Sequence, residues 1–176
     1  MKRVKVATVW LDGCSGCHMS ILDMDAALID LARKIEIVYG PLVDAQEFPD
    51  DVDVTLVEGA VSNSDDLARI QKIRSHTHTL ISLGDCAVTS NVPAMRNGIP
   101  VSRLLQRVYA EVGPPNNAIP ADRVPSLLKQ ARPVHEFVKV DLYVPGCPPP
   151  AKAILAVLGE LLAGRKPDLA TKVKFG

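Results

Sequence analysis

The sequence predicts an α/β fold: a doubly wound, mostly parallel sheet with helices on both faces and one long irregular insertion. Three observations carry this prediction. Short β-branched apolar runs alternate with amphipathic helical patterns through the first half of the chain. One run, residues 52–57, is nearly all apolar, as expected of a strand buried on both faces of a parallel sheet. Seven of the 14 prolines lie within residues 84–137 and interrupt the alternation.

The first strand and helix are indicated by periodicity. Residues 4–11 form an apolar, β-branched run typical of a strand. Residues 20–33 carry apolar side chains at spacings of three and four, which form one face of a helix: Ile21, Met24, Leu28 and Leu31. Ile35–Tyr39 resembles a second strand, so the chain begins with a βαβ unit.

The second helix has a start signal and an apolar stripe. Ser62 and Asn63 stand three residues before a pair of aspartates, which is typical of a helix N-terminus. The apolar stripe that follows is Leu67, Ile70 and Ile73. Residues 79–83 then resume the sheet. Ligands of such sheets gather outside the carboxyl ends of the strands, so we expect the functional residues there.

The second half departs from this rhythm. Residues 84–137 form the insertion, with short helices predicted at 101–110 and 126–130. Apolar residues within it argue against disorder and favour a docking surface. The alternative is that the insertion is a structural segment that binds no partner. A strand over 137–144 and a helix over 151–163, ended by Gly164 and Pro167, complete the prediction.

Size and charge limit the function classes. A chain of 176 residues is long enough for one domain, which we place at residues 1–176. Twenty basic residues balance 20 acidic ones, so the sequence offers no electrostatic footprint for nucleic acid. Its apolar runs, such as residues 153–158, fall short of a membrane span, and no signal peptide precedes the first strand. We therefore expect a cytoplasmic protein with no nucleic-acid or membrane partner.

Four cysteines carry the chemical signal: Cys14, Cys17, Cys86 and Cys147. Each of their three segments follows a predicted strand, and glycines flank the thiols. If the strands are parallel, the four thiols meet at one edge of the sheet. A single C-x-x-C step with two distant cysteines favours an iron–sulfur cluster over a zinc ribbon, which normally pairs two such steps. Disulfides and buried inert thiols are the plainer alternatives.

Several other residues could support such a site. His18 follows a cysteine and could bond to a cluster sulfur, lie at a subunit interface or be a surface residue. Glu58 ends a central strand, where it would face the cluster or a partner, or be a satisfied structural carboxylate. Asp85 could cap a turn beside Cys86. His76 and His78, with no cysteine or carboxylate partner near them in the sequence, are interpreted as a solvated loop without a metal role.

The cysteine motifs together resemble the small subunit of a [NiFe] hydrogenase. These motifs are WLDGCSGCHMS over 10–20, EGA over 58–60, GDCA over 84–87 and PGCPPP over 145–150. The resemblance implies a flavodoxin-like domain in which Cys14, Cys17, Cys86 and Cys147 bind the [4Fe–4S] cluster proximal to the nickel–iron site. It implies electron transfer with no catalytic centre in this chain, because hydrogen activation resides in the large subunit.

The branch of the family is indicated by the absence of cysteines after Cys147. The chain is similar to small subunits of cytoplasmic NAD-reducing, or bidirectional, hydrogenases. That resemblance implies two partners: the large subunit with the nickel–iron site, and a diaphorase module with FMN, NAD and iron–sulfur clusters. It also leaves open an FMN near this chain. Two alternatives remain: the cluster subunit of a complex I-like NADH dehydrogenase, whose adjacent cysteine pair differs from the spaced pair here, and an FMN-binding flavodoxin-like module.

Overall fold

A five-stranded parallel sheet lies at the centre of the fold, in a computed structural model that describes residues 3–113 and 118–168. In chain order the strands of the described residues are β1 (Val4–Trp10), β2 (Ile35–Tyr39), β3 (Val52–Glu58), β4 (Val61–Asn63), β5 (Thr77–Leu83), β6 (Leu127–Arg132) and β7 (Leu142–Val144). The sheet has the order β2-β1-β3-β5-β7, while β4 and β6 form a separate antiparallel ribbon. Counted among sheet strands alone, this is the flavodoxin-like order 2-1-3-4-5. The predicted doubly wound, mostly parallel sheet is confirmed.

Helices cover both faces of the sheet. They are α1 (Gly16–Leu22), α2 (Ala27–Ala32), α3 (Ser64–Ser75), α4 (Asp85–Thr89), α5 (Val101–Leu105) and α6 (Ala151–Leu162). Two 3₁₀ helices, Val92–Gly98 and Val134–Glu136, and a π-helical turn, Gln106–Glu111, lie between α4 and β7. Among the helices of the described residues, none has the length and apolarity needed to cross a membrane.

Two apolar cores lie on opposite faces of the sheet. The first joins α1, α2 and α6 to the strands and includes Val6, Met24, Leu31, Leu56, Ile81, Val144, Ile154 and Val157. The second joins α3 and the 134–138 segment to the other face and includes Val9, Val57, Ile70, Ile73, Leu80 and Val134. β3 lies between the two cores and is buried along nearly its whole length, as its apolar sequence predicted.

The predicted helix over residues 20–33 is wrong in its bounds. α1 begins four residues earlier, and a turn that includes Asp25 in the left-handed conformation (φ 49°) separates it from α2. Met24 and Leu31 nevertheless pack into the same core. The apolar periodicity continues across the turn because both helices face that core, so the sequence pattern could not reveal the break.

Two further predictions in the second half need correction. The helix expected at 126–130 is wrong, because Leu127–Arg132 is a strand that pairs antiparallel with β4. The strand expected over 137–144 contains only Leu142–Val144, which pairs with β5. Phe137, Val138 and Val140 pack against the second core instead, so their apolar character reflects tertiary packing and not strand pairing.

Other predicted elements hold. Asn63 caps α3, since its side-chain oxygen accepts hydrogen bonds from the N–H groups of Asp65 and Asp66, each at 2.9 Å. The predicted 101–110 helix corresponds to α5 and the π-helical turn. The helix predicted at 151–163 is α6, followed by Gly164 at a positive φ of 68°.

Candidate metal centre

The four cysteines meet at the carboxyl end of the parallel sheet. Cys14 and Cys17 lie in the β1–α1 loop and at the start of α1, Cys86 lies in α4 after β5, and Cys147 follows β7. The pKa of the Cys17 thiol is raised well above its ordinary value, first by burial, then by Glu58 and the other three cysteines. Burial and the charges of Cys14, Cys147 and Glu58 also raise the pKa of Cys86 to about 11, against a lowering contribution from the Val92 N–H. The four thiols therefore belong to one electrostatically coupled group.

This group has an inner and an outer pair. Cys17 and Cys86 are buried, whereas Cys14 and Cys147 are exposed, and none of the four forms a disulfide. The buried pair thus anchors one side of the site in the protein interior, and the exposed pair places the other side at the surface. The plainer alternative of four buried inert thiols does not describe this arrangement.

Two glycines leave room beside the sulfurs. A Cβ added at Gly84, whose φ is +81°, would lie only 2.3 Å from Cys17 Sγ. A Cβ added at Gly16 would lie 3.2 Å from Cys14 Sγ. At Gly84, only glycine combines this backbone conformation with so close an approach. The cradle and the four-thiol donor set fit an iron–sulfur cluster, in which each iron needs one thiolate.

The described residues contain no group of three or more His, Cys, Asp or Glu side chains placed to hold a single metal ion. A structural zinc ion needs four ligands around one centre, with Zn–S distances of about 2.3 Å. A cubane distributes its thiolates over four irons and does not need that convergence. The role of these cysteines as ligands stays a prediction.

Backbone and side-chain N–H groups point at the sulfurs. The Gly16 N–H donates to Cys14 Sγ over 3.4 Å, and Asn91 Nδ2 donates to Cys147 Sγ over 3.4 Å. The Val92 N–H lowers the pKa of the Cys86 thiol against the effect of burial. The sequence analysis noted the glycines that flank the thiols but missed Asn91, whose position five residues after Cys86 was the available signal.

Asp85 joins two of the cysteine loops. Its Oδ1 accepts a 2.7 Å hydrogen bond from the Gly146 N–H, while its own N–H donates to the Gly146 carbonyl over 2.9 Å. The sequence suggested a cap on a local turn beside Cys86. The aspartate instead holds the Cys86 segment against the loop that carries Cys147, which fixes two thiols relative to each other.

Glu58 and His18 form a buried pair behind the centre. Glu58 is 1% exposed and His18 is 5% exposed. Glu58 Oε2 accepts hydrogen bonds from His18 Nδ1 at 2.5 Å and from the His18 N–H at 3.1 Å. Of the roles left open for His18, the surface position is wrong, because the side chain is buried against Glu58. The pair ties the start of α1, which carries Cys17, to the end of β3.

The remaining histidines lie away from the cysteines. His76 Nε2 contacts Asp50 at 2.9 Å, and His78 Nε2 contacts Asp51 at 2.8 Å. The sequence interpretation that they lack carboxylate partners is therefore wrong. His135 packs edge to face against Tyr143, with ring centroids 5.8 Å apart.

Comparisons with known proteins identify a family and two similar hydrogenase subunits. Residues 14–161 match the family described as NADH ubiquinone oxidoreductase, 20 Kd subunit. The chain is 39% identical over 172 residues to a subunit of the F420-non-reducing hydrogenase vhu of Methanocaldococcus jannaschii, with 97% of this chain and 60% of the relative covered. It is 36% identical over 179 residues to the delta subunit of the NAD-reducing hydrogenase HoxS of Cupriavidus necator, with 97% of this chain and 84% of the relative covered.

A solved structure is similar along the whole fold. A chain from the crystal structure of an NAD⁺-reducing [NiFe]-hydrogenase in the H₂-reduced state superposes with a TM-score of 0.96 at 36% identity, covering 99% of this chain and 100% of that one. The chain spans about 60% of the length of the Methanocaldococcus relative. Because the family match covers most of the chain, the chain belongs to the NADH ubiquinone oxidoreductase 20 kDa subunit family.

Proposed function

We propose that this chain is the electron-transfer small subunit of an NAD-reducing [NiFe] hydrogenase and binds the proximal [4Fe–4S] cluster through Cys14, Cys17, Cys86 and Cys147. The observation that carries the proposal is the meeting of four free thiols from three loops at the carboxyl end of one sheet. The likeness to the HoxS delta subunit and to the NAD⁺-reducing hydrogenase chain supports it. When bound, a cluster of this type takes up and releases one electron at a time.

The role proposed for this chain is to hold the cluster and carry electrons across it. Hydrogen oxidation in the large subunit, H₂ → 2 H⁺ + 2 e⁻, would supply two electrons that cross this chain singly. Reduction of NAD⁺ in a flavin diaphorase, NAD⁺ + H⁺ + 2 e⁻ → NADH, would consume them. The thiols of Cys17 and Cys86 are buried in the protein, and those of Cys14 and Cys147 are exposed where a partner would contact the cluster. We assign no catalytic residue to this chain.

Exposed apolar side chains support the proposed partners. Met19 is 56% exposed and lies two residues after Cys17, while Val92 and Met95 are 59% and 80% exposed and follow the Cys86 helix. Trp10, 44% exposed, ends the strand before Cys14. Apolar and aromatic residues of this kind are enriched in the cores of stable subunit interfaces. We propose that the large subunit covers part of this surface and the diaphorase another part.

FMN is not part of this proposal for the chain itself. A flavodoxin-like fold holds its flavin at the switch point beside β1. The loop after β1 carries Cys14 and Cys17 there, and the Gly16 N–H donates to a thiol. The proposal places the complex in the cytoplasm, because the four cysteines must be reduced thiols to receive the cluster and a reducing compartment keeps them so.

A second candidate differs only in the electron acceptor. The observation behind it is the 39% identity to a subunit of the F420-non-reducing hydrogenase vhu, a name that does not specify NAD as the acceptor. The two candidates share the cluster and the large subunit. They are separated by the subunits that accompany the chain and by the acceptor that the purified complex reduces with hydrogen.

Single alanine variants of the four cysteines test the cluster assignment. In the complex purified without oxygen, we expect each variant to lose iron and acid-labile sulfide together with the broad visible absorption of the cluster. The control is Gln46→Ala, an exposed residue whose amide donates to the nearby Asp44 carbonyl. Zinc in place of iron in the wild-type chain would overturn the assignment. Full iron content in one variant would remove that cysteine from the ligand set.

The branch is tested on the intact complex. We expect it to contain flavin and to reduce NAD⁺ with hydrogen, whereas a heterodimer with the large subunit alone should reduce only artificial dyes. A native complex that has no NAD-binding subunit and reduces another acceptor would contradict the NAD-reducing assignment and support the second candidate.

A further inference from the structure

We propose that Asn91 sets the reduction potential of the cluster by donating a hydrogen bond to the Cys147 thiolate. The inference rests on the proposed function, since Cys147 is assigned there as an iron ligand. Asn91 Nδ2 lies 3.4 Å from Cys147 Sγ. A carboxamide presents two N–H donors at its nitrogen and lone pairs at its oxygen. A thiolate therefore selects the orientation in which the nitrogen faces the sulfur.

The backbone at Asn91 is strained in a way that serves this contact. Asn91 has φ 25° and ψ −118°, and the preceding Ser90 has φ 70°. Two consecutive non-glycine residues at positive φ are uncommon and cost conformational energy. Ser90 is 2% exposed, and its N–H donates to the Cys86 carbonyl over 3.0 Å. The end of α4 therefore forces the turn that carries the Asn91 side chain to Cys147.

Asn91 donates to a thiol of the exposed pair, Cys147, and stands directly before the 3₁₀ helix Val92–Gly98. A donor placed at a ligand has a direct effect on a cluster, because hydrogen bonds to the sulfurs help to set its potential.

The segment is anchored to the rest of the protein. Arg96 donates to the carbonyls of Ser62 at 3.0 Å and Leu128 at 3.1 Å. Asn97 exchanges two 2.8 Å hydrogen bonds with the backbone of Ala131. These contacts fix the 3₁₀ helix Val92–Gly98 onto the β4–β6 ribbon. Arg96 and Asn97 are positioning residues, because they act on the cluster only through the segment that carries Asn91.

The sign of the effect follows from charge. A reduced cluster carries one more negative charge than the oxidised one, and part of that charge resides on the thiolates. An N–H donor stabilises the more negative state more strongly, so it raises the reduction potential. Loss of the donor should lower it. A partner that covers the exposed Cys147 would exclude water and strengthen the contribution of the bond.

Two variants distinguish loss of the Asn91 hydrogen bond from disruption of the turn that carries it. Asn91→Gly removes the amide and tolerates the positive φ, and Asn91→Asp keeps the shape but places a carboxylate near the sulfur. In the complex as purified, redox titration followed by electron paramagnetic resonance should show a lower potential in both, with the larger shift in Asn91→Asp. For Asn91→Gly we expect the reduced-to-oxidised ratio at fixed potential to fall about threefold to tenfold, or about 28–59 mV for a one-electron couple.

The control and the iron assay make the outcomes distinct. Gln46→Asp introduces the same charge change at an exposed amide that bonds the Asp44 carbonyl, and its potential should match wild type. An unchanged or raised potential in both Asn91 variants at full iron content would overturn the proposal. Loss of iron from a folded Asn91→Gly chain would assign Asn91 a merely structural role and overturn it too. A wild-type chain without iron and sulfide would instead refute the proposed function.

Discussion

Replacing Gly84 by alanine should strip the centre of iron while leaving most of the fold in place. The added Cβ would lie 2.3 Å from Cys17 Sγ, whereas an ordinary van der Waals contact begins at 3.4 Å, so the sulfur must move by more than 1 Å. The backbone cannot yield instead. The Gly84 N–H donates to the Val144 carbonyl over 2.8 Å, and the Gly84 carbonyl accepts from Val88 in α4.

The energetic cost has two parts, and Gly164 isolates one of them. Gly84 and Gly164 have positive φ values of 81° and 68°, but a Cβ at Gly164 meets nothing within 4 Å. Gly164→Ala should therefore cost about 1–2 kcal/mol of unfolding free energy from the left-handed conformation alone. Gly98→Ala, with no positive φ and no neighbour within 4 Å, should cost less.

The assay is iron and sulfide per chain in the purified complex, together with the melting temperature. Gly84→Ala should lose most of its iron, while Gly164→Ala and Gly98→Ala retain the wild-type content. If Gly84→Ala binds as much iron as Gly164→Ala, the close approach of Gly84 to the Cys17 sulfur has no bearing on the cluster, and the glycine cradle plays no part in binding it.

Two further predictions concern stability and are measured by denaturant unfolding of the full chain. Asn63→Ala removes the acceptor for two N–H groups at the start of α3 and should cost about 1 kcal/mol. The control is Asn63→Ser, which retains a cap acceptor without placing a carboxylate against Asp66, and no loss in Asn63→Ala would contradict the cap. Burial alone would raise the pKa of Asp141, but hydrogen bonds from the Leu80 N–H and Arg74 outweigh it, so the pKa lies below its ordinary value. The contact therefore stabilises the protein above the unfolded-state pKa, and this contribution is lost as the pH falls through the folded one. Asp141→Asn should cost roughly 1.5–3 kcal/mol at pH 7 and weaken the pH dependence below pH 5; an unchanged pH profile would rule out this linkage.

The central sheet and the convergence of the cysteines could be predicted because both depend on local patterns. The apolar run of β3 requires burial on both faces. The cap at Asn63 is indicated by the acidic residues that follow it in the first turn of α3. Once parallel strands are inferred, the loops that carry Cys14, Cys86 and Cys147 must lie at one edge. No long-range contact has to be known for that step.

The missed features depend on contacts between distant segments. Leu127–Arg132 becomes a strand because β4 lies beside it, more than 60 positions away in the chain. His18 is buried because Glu58 accepts from it at the end of another strand, and neither residue's immediate neighbours specify the pairing. Phe137, Val138 and Val140 pack against the second core without strand pairing, and their apolar character alone does not distinguish this packing from a strand.

The insertion owes its order to side chains that bond backbone groups. Prolines remove N–H donors and prevent regular pairing, so a proline-rich segment must satisfy its neighbours' carbonyls in another way. Arg96 and Asn97 do this between the 3₁₀ helix and the β4–β6 ribbon. The same helix begins at Val92, directly after Asn91, which donates to Cys147, and it exposes Met95. A partner that docks on this part of the insertion would therefore contact the segment that holds the Asn91 donor in place. The predicted docking surface and the environment of the Cys147 thiol are thus parts of one structural unit.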